Sequence, residues 1–356
     1  MTSKKKIAIF QSDLNVGGIQ KSLINLFHMI DVERYEIDLY LFDDHTFFDQ
    51  VIPRSIHIIR MNPFGKLYKI IPFSVVRRLK RKQFAVITKE YDLAIDFNSY
   101  WQECSVGATS VKAKRRVMWV HNDVTQKLKE DKKYRILWRA FKGKFLKFDQ
   151  FIAVSAGIIP SFYISARVPP ERVQVISNFV NTDEIFRNAQ EPIPFSVDPS
   201  QYNFVSVGRL CHQKGYDLLI DNFIKVLQKR TDVHLYLIGD GPDRKKLDEQ
   251  IRRNKVEDKI TLLGNQKNPF PYEKQMDGFI LTSRYEGQGI VIWEAKALGL
   301  SLFISKNLEK YNTGITGCED IVSAMCAAQK REKNWDPLTE YNQHIRDEIT
   351  VLFDAD

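Results

Sequence analysis

The stretch SRYEGQGIVIWEAKALGL, residues 283–300, sets Glu286 and Glu294 on either side of Gly287-Gln288-Gly289 and runs into an apolar segment beginning near Ile290. Carboxylates accept hydrogen bonds from hydroxyl groups. Glycines let the backbone approach a ligand closely, and the amides at a helix N-terminus favour a phosphate. That combination suits a nucleotide sugar. A second stretch, VSVGRLCHQKGYDLLI, places Arg209 and Lys214 in a loop between a strand and a helix. Two cations in such a loop can converge on a diphosphate. Taken singly each feature has a plainer reading: a glutamate near a helix start, an exposed glutamate, two surface cations. The turn in LIGDGPDRKKL, with Asp240-Gly241-Pro242 before a helix, reads as mainly structural.

No metal site accompanies these groups in the sequence. The Asp354-Ala355-Asp356 motif is the last three residues, and it reads as a frayed, solvated tail that cannot hold Mg²⁺ in fixed geometry. The four cysteines, Cys104, Cys211, Cys318 and Cys326, form no C-x-x-C pair and are expected to be reduced thiols. The seven histidines make no ligand pattern.

The elements that must position these groups follow a regular alternation. KIAIFQSD reads as a buried strand, then comes a Gly17-Gly18 turn and the helix IQKSLINLFHMI. YEIDLYLFD, YDLAIDF, RRVMWVH and QFIAVS are short β-rich runs with helical stretches between several of them. After a proline-bearing lapse at 191–201 the alternation restarts with YNFVSVGRL, VHLYLIGDG, KITLLG and GFILTS. Alternating strands and helices predict parallel, doubly wound sheets. The expected organisation is residues 1–190 as one Rossmann-like domain, 191–201 as linker and 202–340 as a second. A helix over 341–356 would cross back to the first. Two such domains would face across a cleft at the carboxyl ends of their strands, where ligands bind in this architecture.

Composition supports an ordinary soluble chain, with 44% hydrophobic and 27% charged residues among 356. No apolar run reaches the about 18 residues needed to span a bilayer, and MTSKKKIAIFQSD lacks the core of a signal peptide. A cytoplasmic protein is expected. Charge is uneven: residues 1–195 carry 31 Lys and Arg against 20 Asp and Glu, whereas residues 196–356 carry 22 against 24. The basic half is expected to meet an anionic surface or substrate.

Gly17-Gly18 before a helix, VGRL with QKG, LIGDGP, and two glutamates spanning a Gly-x-Gly occur here in that order. With FIAVSAGIIPSF and VQVISNFVNTDEI they make the chain resemble the retaining nucleotide-sugar glycosyltransferases of the GT-B fold, in the family 4-like group. Members of that group build capsule, exopolysaccharide, lipopolysaccharide and glycolipids. The resemblance implies roles residue by residue. Arg209 and Lys214 would bind the donor diphosphate and neutralise the leaving group. Glu286 would bind hydroxyls of the donor sugar, with the amides of Gly287, Gln288, Gly289 and Ile290 flanking sugar and phosphate. Glu294 would hold the ribose. Gly17 and Gly18 would bring a helix N-terminus to the phosphates and acceptor, and His121, in MWVHND, would reach the transferred sugar. UDP is the donor nucleotide the family favours, and neither metal nor cofactor is expected.

The chain departs from that family's pattern at three places. Gln288 replaces an aromatic between the glycines and adds an amide able to read a sugar hydroxyl. Phe179 and Asn181 stand where glycine and aspartate are usual. The segment after Gly299, SLFISKNLEKYNTGITGCEDIV, lacks the usual continuation of the donor wall.

Residues 66–89 hold eight cations and no acid, and YRILWRAFKGKFLKF sets Trp138, Phe141, Phe145 and Phe148 near helical spacing between Arg135, Arg139, Lys142, Lys144 and Lys147. Basic amphipathic segments of this kind are expected to attach the protein peripherally to the inner face of an anionic membrane, with a lipid-linked glycan as acceptor. The plainer reading puts the aromatics in the core and the cations in water. No nucleic-acid recognition motif is present. Two other functions stay open: a sugar-nucleotide epimerase on the same architecture, and a non-catalytic subunit of a glycosyltransferase complex.

Overall fold

The computed structural model describes residues 4–15, 17–43, 51–130 and 132–355, and at 66, 69 and 127 the backbone only. Met1–Ser3 of the expected leaderless start and Asp356 of the terminal Asp-x-Asp lie outside the described residues. The chain divides into two compact units, Met1–Phe179 with Tyr341–Asp356, and Val180–Glu340.

The first unit is built on a seven-stranded parallel sheet. In chain order its strands are β1 (Lys5–Gln11), β2 (Tyr35–Leu41), β3 (His57–Arg60), β4 (Glu90–Asp96), β5 (Lys112–Val120), β6 (Gln150–Ala153) and β7 (Val173–Val175), and in space they run β3-β2-β1-β4-β5-β6-β7. Helices α1 (Gly18–Met29), α2 (Phe73–Phe84), α3 (Gln102–Ser110), α4 (Val124–Glu130), α5 (Lys132–Phe141) and α6 (Ile159–Ala166) connect them. Strands buried on both faces read as unbroken apolar runs; Ile7, Ala8, Ile9 and Phe10 of β1 are all fully buried. The strand order reverses between β1 and β4, which puts the switch point of this unit at the loops after those strands.

The second unit opens with α7 (Thr182–Asn188) and holds a five-stranded parallel sheet. Its strands are β8 (Tyr202–Val207), β9 (Val233–Ile238), β10 (Ile260–Gly264), β11 (Gly278–Leu281) and β12 (Ser301–Ile304), in spatial order β10-β9-β8-β11-β12. Around them lie α8 (Tyr216–Leu227), α9 (Arg244–Arg253), α10 (Phe270–Gln275), α11 (Ile290–Ala297) and α12 (Ile321–Cys326). In α8 the buried residues are Tyr216, Leu219, Ile220, Phe223 and Val226, the stripe a surface helix turns to its sheet. Here the order reverses between β8 and β11.

Both unit boundaries bear on the sequence expectations. The first falls at Phe179/Val180 rather than at 191–201, because α7 packs on α10 and α11 and carries the proline-rich stretch with the second unit. The last helix, α13 (Thr339–Asp354), belongs from Tyr341 onward to the first unit, burying Ile345, Ile349, Leu352 and Phe353 in its core. Asp354 is therefore no frayed charge: it accepts from Arg34 at 2.5 Å and from the Tyr35 hydroxyl at 2.9 Å.

The aromatic stretch 134–148 also differs from the membrane expectation. Tyr134, Trp138, Phe141, Phe145 and Phe148 are buried. Phe145 lies 5.3 Å from Trp138 and 5.2 Å from Phe162, ring centre to ring centre, so its apolar face is part of the core. Lys144, expected among the exposed cations, is fully buried. The 66–89 stretch keeps an outward face instead. Leu67, Ile70, Val75, Leu79 and Val86 are exposed large apolar residues, and Arg78, Arg81 and Lys82 are exposed beside them.

Candidate active site

In the second unit, the loops after β8 and β11 are joined at the switch point by side-chain and backbone bonds. Gly208, at φ +156°, follows β8, and Gly239, at φ +138°, follows β9. A Cβ on Gly239 would sit 2.0 Å from the Gly208 carbonyl oxygen, and one on Gly241 would sit 2.3 Å from that of Leu210. Only glycine permits that approach. The amide of Leu210 donates to Asp240 O at 3.0 Å, and that of Asp243 donates to Leu210 O at 3.0 Å. The LIGDGP turn thus holds the backbone that carries Arg209. The Arg209 side chain is exposed and makes no hydrogen bond or ion pair among the described residues.

Further along, Gly215 takes the left-handed conformation at φ +65° and begins α8. A Cβ there would lie 2.4 Å from Thr282 O, while the Thr282 hydroxyl donates to Gly215 O at 3.0 Å. Gln213 accepts from the Arg284 amide at 2.8 Å and donates through Nε2 to Tyr285 O at 3.1 Å. Arg284 grips Asp217 with both terminal nitrogens, at 2.8 and 2.6 Å, and that bond holds the Asp217 carboxyl below its usual range. In this frame the Lys214 ammonium donates to Glu286 Oε1 at 2.7 Å. Glu286 is buried and the Lys214 side chain is 22% exposed. Two residues singled out by the sequence for different parts of a donor therefore meet directly.

Helix α11 starts at Ile290, as the sequence reading expects, with Gly289 preceding it. Glu294 is about one turn in and is buried. The expectation that four successive amides are available to a ligand needs correction. The Gly289 amide donates to Asn312 Oδ1 at 3.2 Å and the Ile290 amide donates to Gln288 O at 3.0 Å, so at least these two are engaged within the chain. Asn312 is a site residue the sequence reading missed. It is fully buried, its Nδ2 donates to Leu308 O at 3.0 Å, and it comes from the atypical segment after Gly299. Gln213, Asp217 and Arg284 were missed as well, since no local spacing announces a contact between two distant loops.

In the first unit, Gly17 caps α1 in an extended conformation and Gly18 is its first residue, with nothing within 4 Å of a built Cβ. Asp13 orders the loop before them. It accepts from the Asn15 amide at 3.0 Å, from Gln20 Nε2 at 2.9 Å and from the Ser12 hydroxyl at 2.6 Å. His121, just after β5, bonds through Nε2 to Phe97 O at 3.0 Å, and its ring lies 4.8 Å from that of Phe97. Burial depresses its pKa to about 3, so the ring is neutral and Nε2 carries the proton it donates to a carbonyl. Asp96, at the end of β4, is pushed the other way by burial, to about 6. Among the described residues no cluster of three or more His, Cys, Asp or Glu is placed to hold a metal ion.

Comparison with known proteins bears on what these sites belong to. Residues 16–184 match the Glycosyltransferase Family 4 family and residues 190–310 match Glycosyl transferases group 1. An N-acetylgalactosamine-N,N'-diacetylbacillosaminyl-diphospho-undecaprenol 4-alpha-N-acetylgalactosaminyltransferase of Campylobacter jejuni is 24% identical over 312 residues, covering 82% of this chain and 78% of that protein. An uncharacterized glycosyltransferase of Methanocaldococcus jannaschii is 30% identical over 191 residues, 52% of this chain but only 46% of its own length. Among solved structures, Anabaena HepE with UDP and glucose superposes with a TM-score of 0.64 at 20% identity, covering 97% of this chain and 99% of that one. A Staphylococcus aureus TarM variant in complex with fondaparinux, alpha-GlcNAc-glycerol and UDP gives 0.67 at 12% identity, covering 99% and 100%.

The two sheets have the GT-B fold, and the family matches make the chain a glycosyltransferase. Within that class the chain belongs to the glycosyltransferase family 4-like proteins.

Proposed function

We propose that this glycosyltransferase moves a hexose from a UDP-sugar to a lipid-linked or surface-glycan acceptor in polysaccharide or glycolipid synthesis. It retains anomeric configuration and uses no metal ion. The observation that carries the reading is the Lys214–Glu286 pair at the β8/β11 switch point, beside the loop of Arg209 and the start of α11. Lys214 has two further N–H donors and Glu286 a second oxygen, so the pair can meet a phosphate and a sugar hydroxyl at once. The choice of UDP is supported by its presence in the HepE and TarM structures. The name of the Campylobacter relative, which acts on a diphospho-undecaprenol glycan, supports a lipid-linked acceptor.

In the reaction the bond between the anomeric carbon and the diphosphate oxygen breaks. The acceptor hydroxyl oxygen bonds to the same carbon, and its proton goes to the departing diphosphate. Negative charge grows on that diphosphate, and the groups that stabilise it are Lys214, held beforehand by Glu286, and Arg209, carried on a loop whose backbone is fixed. Glu286 and Gln288 orient the sugar, and Glu294 takes the ribose hydroxyls. Gly17 and Gly18 give α1's N-terminus room near the phosphates and acceptor. His121, neutral at working pH, positions a hydroxyl of the sugar and does not act as a cation. The exposed apolar and basic face of 67–86 supports peripheral attachment to an anionic membrane. Among the described residues no helix is long and apolar enough to cross one.

The test is release of UDP from UDP-hexoses in EDTA, with and without membranes carrying lipid-linked glycans. The reading expects release only when acceptor is present. Conversion of the free donor would indicate an epimerase, and binding without turnover would indicate a non-catalytic subunit.

A further inference from the structure

Lys144 is fully buried, in a 3-10 helix over Lys142–Lys147, and its ammonium donates to Ser99 O. The titratable groups around it are Asp96, Glu103 and the neutral thiol of Cys104, all buried. Asp96 ends β4 and accepts from the Ser105 hydroxyl at 2.5 Å and from the Asn98 amide at 3.1 Å. Asn98 in turn donates through Nδ2 to Ser12 Oγ at 2.9 Å, and Ser12 donates to Asp13 at 2.6 Å. His121 leans on the same loop through Phe97 O. The buried cation is therefore linked, through Ser99 and the adjoining backbone of Phe97 and Asn98, to the β1–α1 turn and to the histidine. Burying an ammonium is costly, and an apolar side chain of similar volume is often as stable or more so. Stability alone gives no reason for this lysine.

We propose that Lys144 is a positioning residue of the first unit: it fixes Ser99, and through it the 97–101 loop that orients His121 and the Ser12–Asp13 turn. This rests on the transferase reading above, in which His121 and the Gly17-Gly18 turn meet sugar and acceptor. Lys144 itself touches neither.

Lys144→Met, in the full chain, keeps the length of the side chain and removes the charge. Three readouts are needed. Nitrogen NMR of the His121 ring should lose the fixed Nε2–H tautomer. The kcat for transfer should fall at least about tenfold, because displacing a contact group by an ångström can cost up to about a hundredfold. UDP affinity, set in the second unit, should stay within about twofold. A folded variant with wild-type His121 resonances and unchanged kcat, whatever its melting temperature, would overturn the proposal. If Lys144→Met does not fold, Asp96→Asn alters the group that holds the Asn98 amide of the same loop, with little change of shape, and is expected to move the same resonances; an unmoved spectrum there also overturns it. Absence of transfer by the wild-type protein would remove the transferase reading, while the His121 spectrum would still decide the positioning.

Discussion

Lys214→Met separates two jobs that one ammonium has in this account. The pair with Glu286 is 2.7 Å long, with the carboxylate side chain 6% and the lysine 22% exposed. Removing one partner of a fully buried pair costs about 3–5 kcal/mol, and exposed pairs are worth about 0–1 kcal/mol. The partial exposure of Lys214 places the loss near 2 kcal/mol, or roughly 4–8 °C in melting temperature for a unit of this size. The loss of a preorganised charge on the leaving diphosphate is a separate effect of about 10²–10³ in kcat. Adding Glu286→Gln removes the uncompensated carboxylate, so the double variant should regain most of the lost stability and almost none of the turnover. Thermal unfolding and a coupled UDP-release assay measure the two effects. If Lys214→Met melts early but turns over within about threefold of wild type, Lys214 is only a counter-ion and the leaving-group role is wrong.

Gly239→Ala would force a methyl to within 2.0 Å of a carbonyl oxygen at a positive φ. It should lower stability by more than about 2 kcal/mol, seen as an early thermal transition; a wild-type melting point would contradict the packing described. Neutralising Arg78, Arg81 and Lys82 together should weaken binding to anionic vesicles roughly a hundredfold, at about 1 kcal/mol per cation, while binding to neutral vesicles stays low. Unchanged sedimentation would remove the 67–86 face as a membrane contact. Two buried groups of the first unit act in opposite directions in acid. His121 titrates near 3 in the folded chain against its ordinary 6.5, so between those values the unfolded chain binds the extra proton and stability is lost as pH falls. Asp96 titrates near 6 against its ordinary 3.8, so between those values the native state holds the extra proton and stability is lost as pH rises. His121→Asn should therefore lose stability less steeply than the wild type as pH falls from about 6.5 toward 4 in urea titrations; an unchanged profile would refute the His121 assignment.

Much of this architecture was readable in advance because parallel sheets write themselves as apolar runs. β8, β9 and β11 coincide with YNFVSV, VHLYLI and GFIL, and α11 starts at Ile290 where the glycines end. The edge strands β3, β7 and β12 are short and only partly buried, so no continuous apolar run marks them, whereas the equally short inner strands β6 and β11 are almost wholly buried. Apolar spacing shows that a helix has two faces but not what covers either. Trp138, Phe141 and Phe145 looked equally able to meet a membrane or a core, and they pack in the core. Lys144 was beyond reach for another reason: lysines are almost never fully buried, so its type argued for water. The signal that could have found it is its place between Phe141, Phe145 and Phe148. Asn312 and the Asp217–Arg284 pair act through contacts between loops far apart in the chain, which no motif encodes. The positions of Arg209, Lys214 and Glu286 in loops after strands were legible because each follows directly on an apolar run.

The central claim is that the second unit holds a uridine diphosphate without metal through Arg209, Lys214, Glu286 and Glu294. Calorimetric titration with UDP, GDP and ADP in EDTA, on the wild type and on Arg209→Ala and Glu294→Ala, tests it most directly. The account predicts binding of UDP in preference to the other two, unaffected by EDTA and lost or greatly weakened in both variants. No binding of any of the three, or UDP binding untouched by both substitutions, would contradict it.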